Sequence, residues 1–332
     1  MAHLAAPVPS PSRPFFSFAV YPPDRLTEVD DLVRVVRAAE SAGFDVVQFP
    51  EHVLPPRGSV ALLGNRTWWD LPTLFAFLAA RTSTIRFLLG VAVLPNHEPI
   101  GFAKALATLD QLSGGRLLLG VGSGWYAAEA DRLGYPFAER GAITDEYLAA
   151  LVELWTSDDP SFAGRYVSFS DVCFAPRPLQ RPHPPILVGG TGPRVVQRIA
   201  LHGDGWLPMA IDRAEALRVF DRIRREVRAA GRDPQRLWFR QEVSWSAGGL
   251  GARTIARVHH GGTGPAGPAA PAGGAAVLAE VQELLASRVN LVSVAFAWET
   301  ADELVGQLAA VGREVIEPVR LRAGALPSGC RE

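Results

Sequence analysis

Apolar residues along the chain follow two alternating rhythms. Short strand-like runs recur at Phe15–Tyr21, Asp45–Phe49, Ile85–Leu94, Arg116–Val121, Ile186–Val188, Gly205–Pro208, Leu237–Val243 and Leu291–Phe296. The third, Ile85–Leu94, is apolar nearly throughout, as a strand covered on both faces should be. Between these runs, apolar positions recur at three- and four-residue spacing, as at Val29, Leu32, Val33, Val36 and Ala39. That spacing predicts helices with one buried face. They are expected over 28–42, 71–81, 100–112, 140–155, 194–202, 213–230, 277–287 and 301–315, with one more directly after Gly124. Pro72 suits the first turn of its helix, and Gly43 and Gly231 stop theirs.

Eight strands alternating with helices predict an α/β fold, a (β/α)8 TIM barrel with insertions. A doubly wound open sheet is the runner-up. Residues 160–175 break the rhythm and read as a β-hairpin excursion with Gly164 near its turn. The proline-rich stretch APRPLQRPHPP reads as an extended connector. Residues 248–274 are rich in Gly, Ala and Pro without periodicity and are expected to form a mobile loop. Residues 15–320 then make a single barrel domain, with a flexible leader at 1–14 and a tail at 321–332.

Composition narrows the classes. A length of 332 residues fits one large α/β domain or two ordinary ones, and 48% hydrophobic content supports a sizeable core. A net charge of −1 gives no reason to expect nucleic acid as a partner. No apolar run approaches the roughly 20 residues of a membrane span. The two cysteines, Cys173 and Cys330, make neither a disulfide framework nor a zinc site. A cytoplasmic location is expected. No histidine pair has metal-ligand spacing with a third ligand, so no metal is expected.

In a barrel the chemistry gathers where strands end and βα loops begin. That rule selects Glu51-His52 after the second strand, Asn96-His97 after the third, and Gly122–Trp125 after the fourth. It also selects Gly189–Gly192 after the fifth, Pro208-Met209 after the sixth, and Glu242 and Trp245 at the seventh. A histidine beside a carboxylate can move a proton or orient a reacting atom. The pair Glu51-His52 can equally be a solvated loop. His97 has a weaker claim.

Two glycine loops, GVGSG and VGGTG, follow successive strands. Each precedes a helix, whose free N–H groups and dipole favour an anion. Ser123 and Thr191 add hydroxyls. A dinucleotide-binding reading fails, because the spacing is GxGxG, the loop follows the fourth strand, and no acidic residue ends a strand about 20 residues on. Trp68, Trp69 and Trp125 either line a substrate cleft or pack ordinarily.

The stretches AAESAGFDVVQFPEHVLPP, RFLLGVAVLPNHEPIGFAKALATLDQLSGGRLLLGVGSGW, RGAITDEYLAALVELWT and FAPRPLQRPHPPILVGGTGPRVVQRIALHGDGWLPM occur in this order. Through them the chain resembles the luciferase-like monooxygenase superfamily, in its branch of coenzyme F420 (deazaflavin)-dependent oxidoreductases. The resemblance covers roughly residues 15–234. It implies a barrel with a deazaflavin, or alternatively FMN, at its C-terminal mouth. The cofactor's phosphate would lie on Gly122, Ser123 and Gly124 and on Gly189, Gly190, Thr191 and Gly192. His52 would handle a proton, with Glu51 orienting it, although members often carry Asp where Glu51 stands. A non-prolyl cis peptide backing the ring would fall at Ala92–Val93. A small-molecule substrate and a homodimer are further implications. A cofactor-free binding barrel stays open as a second class.

Overall fold

The apolar runs form β1 (Phe15–Ala19), β2 (Val46–Phe49), β3 (Arg86–Val93), β4 (Leu117–Gly122), β5 (Ile186–Gly189), β6 (Gly205–Leu207), β7 (Trp238–Trp245) and β8 (Leu291–Phe296). All pair in parallel, and β8 pairs with β1, which closes the barrel. This closure excludes the open sheet. The computed structural model describes residues 4–5, 13–21, 23–55, 57, 67–209, 211–245 and 273–324. The expected mobile loop over 248–274 lies outside them except for its last two residues.

The helices are α1 (Val29–Ser41), α2 (Leu71–Ala79), α3 (Pro99–Ser113), α4 (Ala127–Leu133), α5 (Arg140–Thr156), α6 (Pro193–Leu201), α7 (Arg213–Ala229), α8 (Gly274–Ala286), α9 (Ala301–Val311) and α10 (Glu317–Gly324). Asp70 accepts a hydrogen bond from the Thr73 N–H at the start of α2, next to Pro72, so both start signals act there. Outside the barrel core, Phe162–Ala163 pairs with Ser168–Phe169 as a short antiparallel hairpin. Leu4–Ala5 pairs in parallel with Gln180–Arg181.

The barrel interior explains why there is room for a ligand. One residue from each strand fills the lower layer: Phe15, Val46, Leu88, Leu118, Leu187, Leu207, Trp238 and Leu291. Strand side chains alternate, so the next layer toward the C-terminal mouth lies two residues on. There β1, β2, β7 and β8 carry Ser17, Gln48, Arg240 and Ser293, whereas β3, β4 and β5 carry Gly90, Gly120 and Gly189. Glycine on three adjacent strands removes the side chains that would otherwise fill the upper barrel.

Strand three departs from the sequence expectation. Leu89 pairs with Leu119 and Ala92 with Val121, so two residues of β3 oppose one of β4. This is a β-bulge. The non-prolyl cis peptide lies within it, at Gly90–Val91 and not at Ala92–Val93. The extra residue turns Ala92 outward into the core between barrel and helices, while Val91 and Val93 line the interior. Gly90 is required sterically, because a Cβ there would sit 2.1 Å from Gln48 Cγ.

Candidate active site

A cavity of about 530 Å3 opens at the C-terminal mouth of the barrel. One wall is the bulge and the glycine loops: Gly90, Val91, Gly122–Gly124 and Gly189–Thr191. His52, Trp68, Trp125, Tyr126, Gln48, Arg240 and Glu242 also line the cavity. A Cβ on Gly122 would come 2.8 Å from Val91 Cγ2, and one on Gly189 would come 3.0 Å from Val91 Cγ1. Gly190 has φ +100°, which restricts the position to glycine on backbone grounds.

The glycine loops form a partition as well as a wall. On their far side lies a second cavity of about 390 Å3, which shares Ser123, Gly189 and Gly190 with the first. Gly192, Pro193 and the start of α6 line it together with Arg140, Arg194 and Arg198. Arg140 is braced by donating from Nε to the Gly124 carbonyl at 3.1 Å and from Nη1 to the Phe137 carbonyl at 2.8 Å. Arg198 is committed to Asp145 and to the Gly141 carbonyl. Arg194 is exposed, with Asp145 at 3.7 Å. Braced arginines beside a helix N-terminus suit an anion. The Gly190 N–H is not available for that purpose, since it donates to the Leu207 carbonyl at 3.3 Å.

Glu51 and His52 are neighbours in sequence and do not act as a pair. Glu51 is buried and turns toward the end of β3, where Oε2 accepts from the Val93 N–H at 2.7 Å. Its Oε1 meets His97 Nε2 at 2.9 Å, and the His97 ring stacks on Phe102 with centroids 3.9 Å apart. His52 instead meets Glu129, with Nδ1 2.6 Å from Oε2. The other Glu129 oxygen accepts from the Val53 and Leu54 N–H groups at 2.7 and 2.9 Å. Burial pushes the Glu129 carboxyl up, but the His52 and backbone hydrogen bonds outweigh it and hold the group below its ordinary value. The two close pairs are therefore Glu51–His97 and His52–Glu129, and the carboxylate against His52 is that of Glu129 and not of Glu51.

The aromatic residues divide. Trp68 meets the His52 ring edge-on at 4.5 Å, and Trp125, 40% exposed, does so at 6.2 Å. Trp69 packs against the core cluster and does not line the cavity. Tyr135 donates to Asn96 Oδ1 at 2.7 Å, and burial followed by the charge of Glu129 pushes its hydroxyl up to about 12, so it stays a neutral phenol. Among buried polar atoms on the cavity wall, Gln48 Oε1, Asn96 Nδ2, Trp68 Nε1 and Arg240 Nε have no hydrogen-bond partner among the described residues.

The sequence reading missed Glu129, Arg140 and Arg194. Arg194 had a usable signal, since it stands two residues past a glycine loop at a helix start. Glu129 had a weaker one, an acid in the first turn of the helix that follows the other loop. Among the described residues no group of three His, Cys, Asp or Glu side chains is placed to hold a metal. Nor is any described helix long and apolar enough to cross a membrane.

Known proteins resemble this chain in sequence and in fold. The chain is 36% identical over 183 residues to an F420-dependent glucose-6-phosphate dehydrogenase of Amycolatopsis mediterranei, covering 53% of this chain and 52% of that protein. It is 33% identical over 183 residues to an FMNH2-dependent dimethylsulfone monooxygenase of Pseudomonas putida, covering 54% and 48%. The fold matches the crystal structure of the monooxygenase RslO1 from Streptomyces bottropensis with a TM-score of 0.75 and 22% identity, over 92% of this chain and 99% of that one. The luciferase-like monooxygenase family profile matches residues 14–319, from the first barrel strand through the last helices. A closed parallel barrel matched over that whole span places the chain in this family, and it belongs to the luciferase-like monooxygenases.

Proposed function

We propose that the protein is a deazaflavin-dependent oxidoreductase that moves a hydride between coenzyme F420 and a small organic substrate at the mouth of the barrel. The observation that carries this reading is the partition itself. A glycine-walled slot lies on one side and an arginine-lined anion pocket on the other, joined along Ser123, Gly189 and Gly190. A ring cofactor with a phosphate on a short chain has that shape. The unpartnered Gln48 Oε1 and Arg240 Nε offer an acceptor and a donor to a heterocycle edge that carries both N–H and C=O groups.

A bound deazaflavin supplies a hydride acceptor or donor at its C5 carbon. The protein does the rest. Arg140, Arg194, the hydroxyls of Ser123 and Thr191 and the N-terminus of α6 hold the phosphate. Val91 and the glycines shape the seat of the ring. Trp68 and Trp125 shield the reacting face from water and bound the space for substrate. His52 faces that space and carries the proton that accompanies the hydride. Such a group contributes typically about 10²–10⁴ in rate.

FMN in the same seat with O2 as co-substrate is the second reading, favoured by the similarity to the FMNH2-dependent monooxygenase. Titrating the purified protein with F420 and with FMN separates the two. Tight F420 binding with a perturbed visible band and weak FMN binding are expected. The reverse order would establish the second reading. Binding of neither would overturn both and leave a cofactor-free binding barrel. A homodimer in the cytoplasm completes the proposal, and sedimentation gives the oligomeric state.

A further inference from the structure

The environment of His52 determines more than its position. Its side chain is 9% exposed, and that of Glu129 is 4% exposed. The ring is enclosed edge-on by Trp68, Trp125 and Tyr126, with centroids at 4.5, 6.2 and 6.5 Å. Nδ1 lies against Glu129 Oε2, while no described residue hydrogen-bonds Nε2.

Glu129 has no hydrogen to give. Its Oε1 accepts two backbone N–H groups, and the carboxyl is held below its ordinary value, so at neutral pH it is an anion. A carboxylate anion only accepts hydrogen bonds, and a neutral imidazole carries a single ring hydrogen. The hydrogen shared at 2.6 Å therefore belongs to His52 Nδ1.

We propose that Glu129 is a positioning residue that locks His52 as the Nδ1–H tautomer, so that Nε2 presents its lone pair to the cavity. The proposal rests on the reading of His52 as the proton carrier. In the direction of substrate oxidation, the O–H bond of a hydroxyl-bearing substrate breaks and its proton goes to Nε2. The adjacent C–H bond breaks with its electron pair, and the hydride goes to the oxidised deazaflavin. The carbon and oxygen are left joined as a carbonyl. His52 becomes an imidazolium beside the Glu129 anion, which stabilises it. The reverse reaction returns the proton from Nε2. Glu129 touches neither substrate nor cofactor in this scheme. It fixes which nitrogen reacts, and through Val53 and Leu54 it fixes the loop that carries the histidine.

The test is a long-range 1H–15N correlation of the His52 ring in the cofactor-free protein. The wild-type ring is expected as Nδ1–H with a bare Nε2, and an Nε2–H ring there overturns the proposal without any variant. Glu129→Gln is the informative substitution. Its carbonyl oxygen still accepts from Val53 and Leu54, but its amide N–H2 now faces Nδ1. The ring is then expected to invert to Nε2–H, with kcat falling about 10²–10⁴-fold and the cofactor Kd changing less than about twofold. A Glu129→Gln protein that keeps the Nδ1–H ring overturns the positioning role. An inverted ring with undiminished kcat instead overturns the proton-carrier reading beneath it, and full activity in His52→Ala would identify that failure separately.

Discussion

The seat proposed for the cofactor ring can be tested at Gly122, where a side chain should damage binding far more than folding. The backbone there is not in the left-handed region, so a substitution tests space and not strain. A Cβ would lie 2.8 Å from Val91 Cγ2 and 3.8 Å from Val91 Cβ, so one of the two residues must yield. Val91 is only half-buried and borders the cavity, so in the cofactor-free protein it can turn into open space at little cost. With a ring seated, that space is gone. Over-packing of this kind costs about 1–3 kcal/mol. In Gly122→Val that cost is felt only by the complex, and it corresponds to a Kd raised about 5- to 150-fold. Fluorescence titration with F420 and with FMN measures the Kd, and thermal unfolding of the cofactor-free protein measures the fold. Gly306→Ala is the control, because a Cβ on that α9 glycine meets nothing within 4 Å. It should leave Kd unchanged and raise stability by about 0.4–1 kcal/mol. An unchanged Kd in Gly122→Val refutes the seat. A loss of stability without cofactor as large as the loss of affinity refutes the division of cost between the two states.

Three further perturbations separate the roles assigned to the mouth. His52→Ala should bind cofactor as the wild type does and lose about 10²–10⁴ in kcat, read by single-turnover kinetics. Glu51→Ala should act on stability first. It strips the buried Val93 N–H of its acceptor and His97 of its partner, at about 1–3 kcal/mol for the orphaned groups. A wild-type denaturation midpoint would show that the clamp contributes nothing. Arg194→Ala should weaken FMN binding several-fold and leave riboflavin binding unchanged, because riboflavin lacks the phosphate. Equal losses for both ligands would remove the arginine from the anion pocket.

The barrel was legible because short strand-like runs alternate with segments of helical spacing, and the order of such runs determines the topology. Even the weak strands, β1 and β6, kept their places. The bulge in β3 was not legible. Gly90-Val91-Ala92-Val93 is equally apolar whether or not one residue is extra, and only pairing with β4 shows that two residues face one. Hence the cis bond was expected two residues late, and Ala92 was placed toward a cavity it turns away from. The loop carbonyls and amides of VGGTG posed the same kind of problem. The two glycine loops were read as a cradle for an anion, but the Gly190 N–H is taken by β6, a partner 17 residues further along the chain.

The pairing of Glu51 with His52 failed for a reason intrinsic to extended chain. Successive side chains leaving a strand point to opposite sides, so neighbours in sequence are poorly placed to hold each other. Each instead found a partner on another loop, Glu51 at His97 and His52 at Glu129, 46 and 77 residues away. The crossed pairs join the segments after β2, β3 and β4 into one assembly, since Glu51 also grips the Val93 N–H and Glu129 also grips those of Val53 and Leu54. The histidine that faces the cavity is thus held by the helix that follows the glycine loop, the same element whose start borders the proposed seat of the ring. A cofactor settling into that seat and a proton carrier aimed at it would be positioned by a single rigid connection. Losing Glu129 should therefore alter the aim of His52 while leaving the seat of the ring in place, whereas losing Gly122 should close the seat while leaving His52 in its tautomer. If the two substitutions instead produced the same defect, the division between cradle and carrier would be wrong.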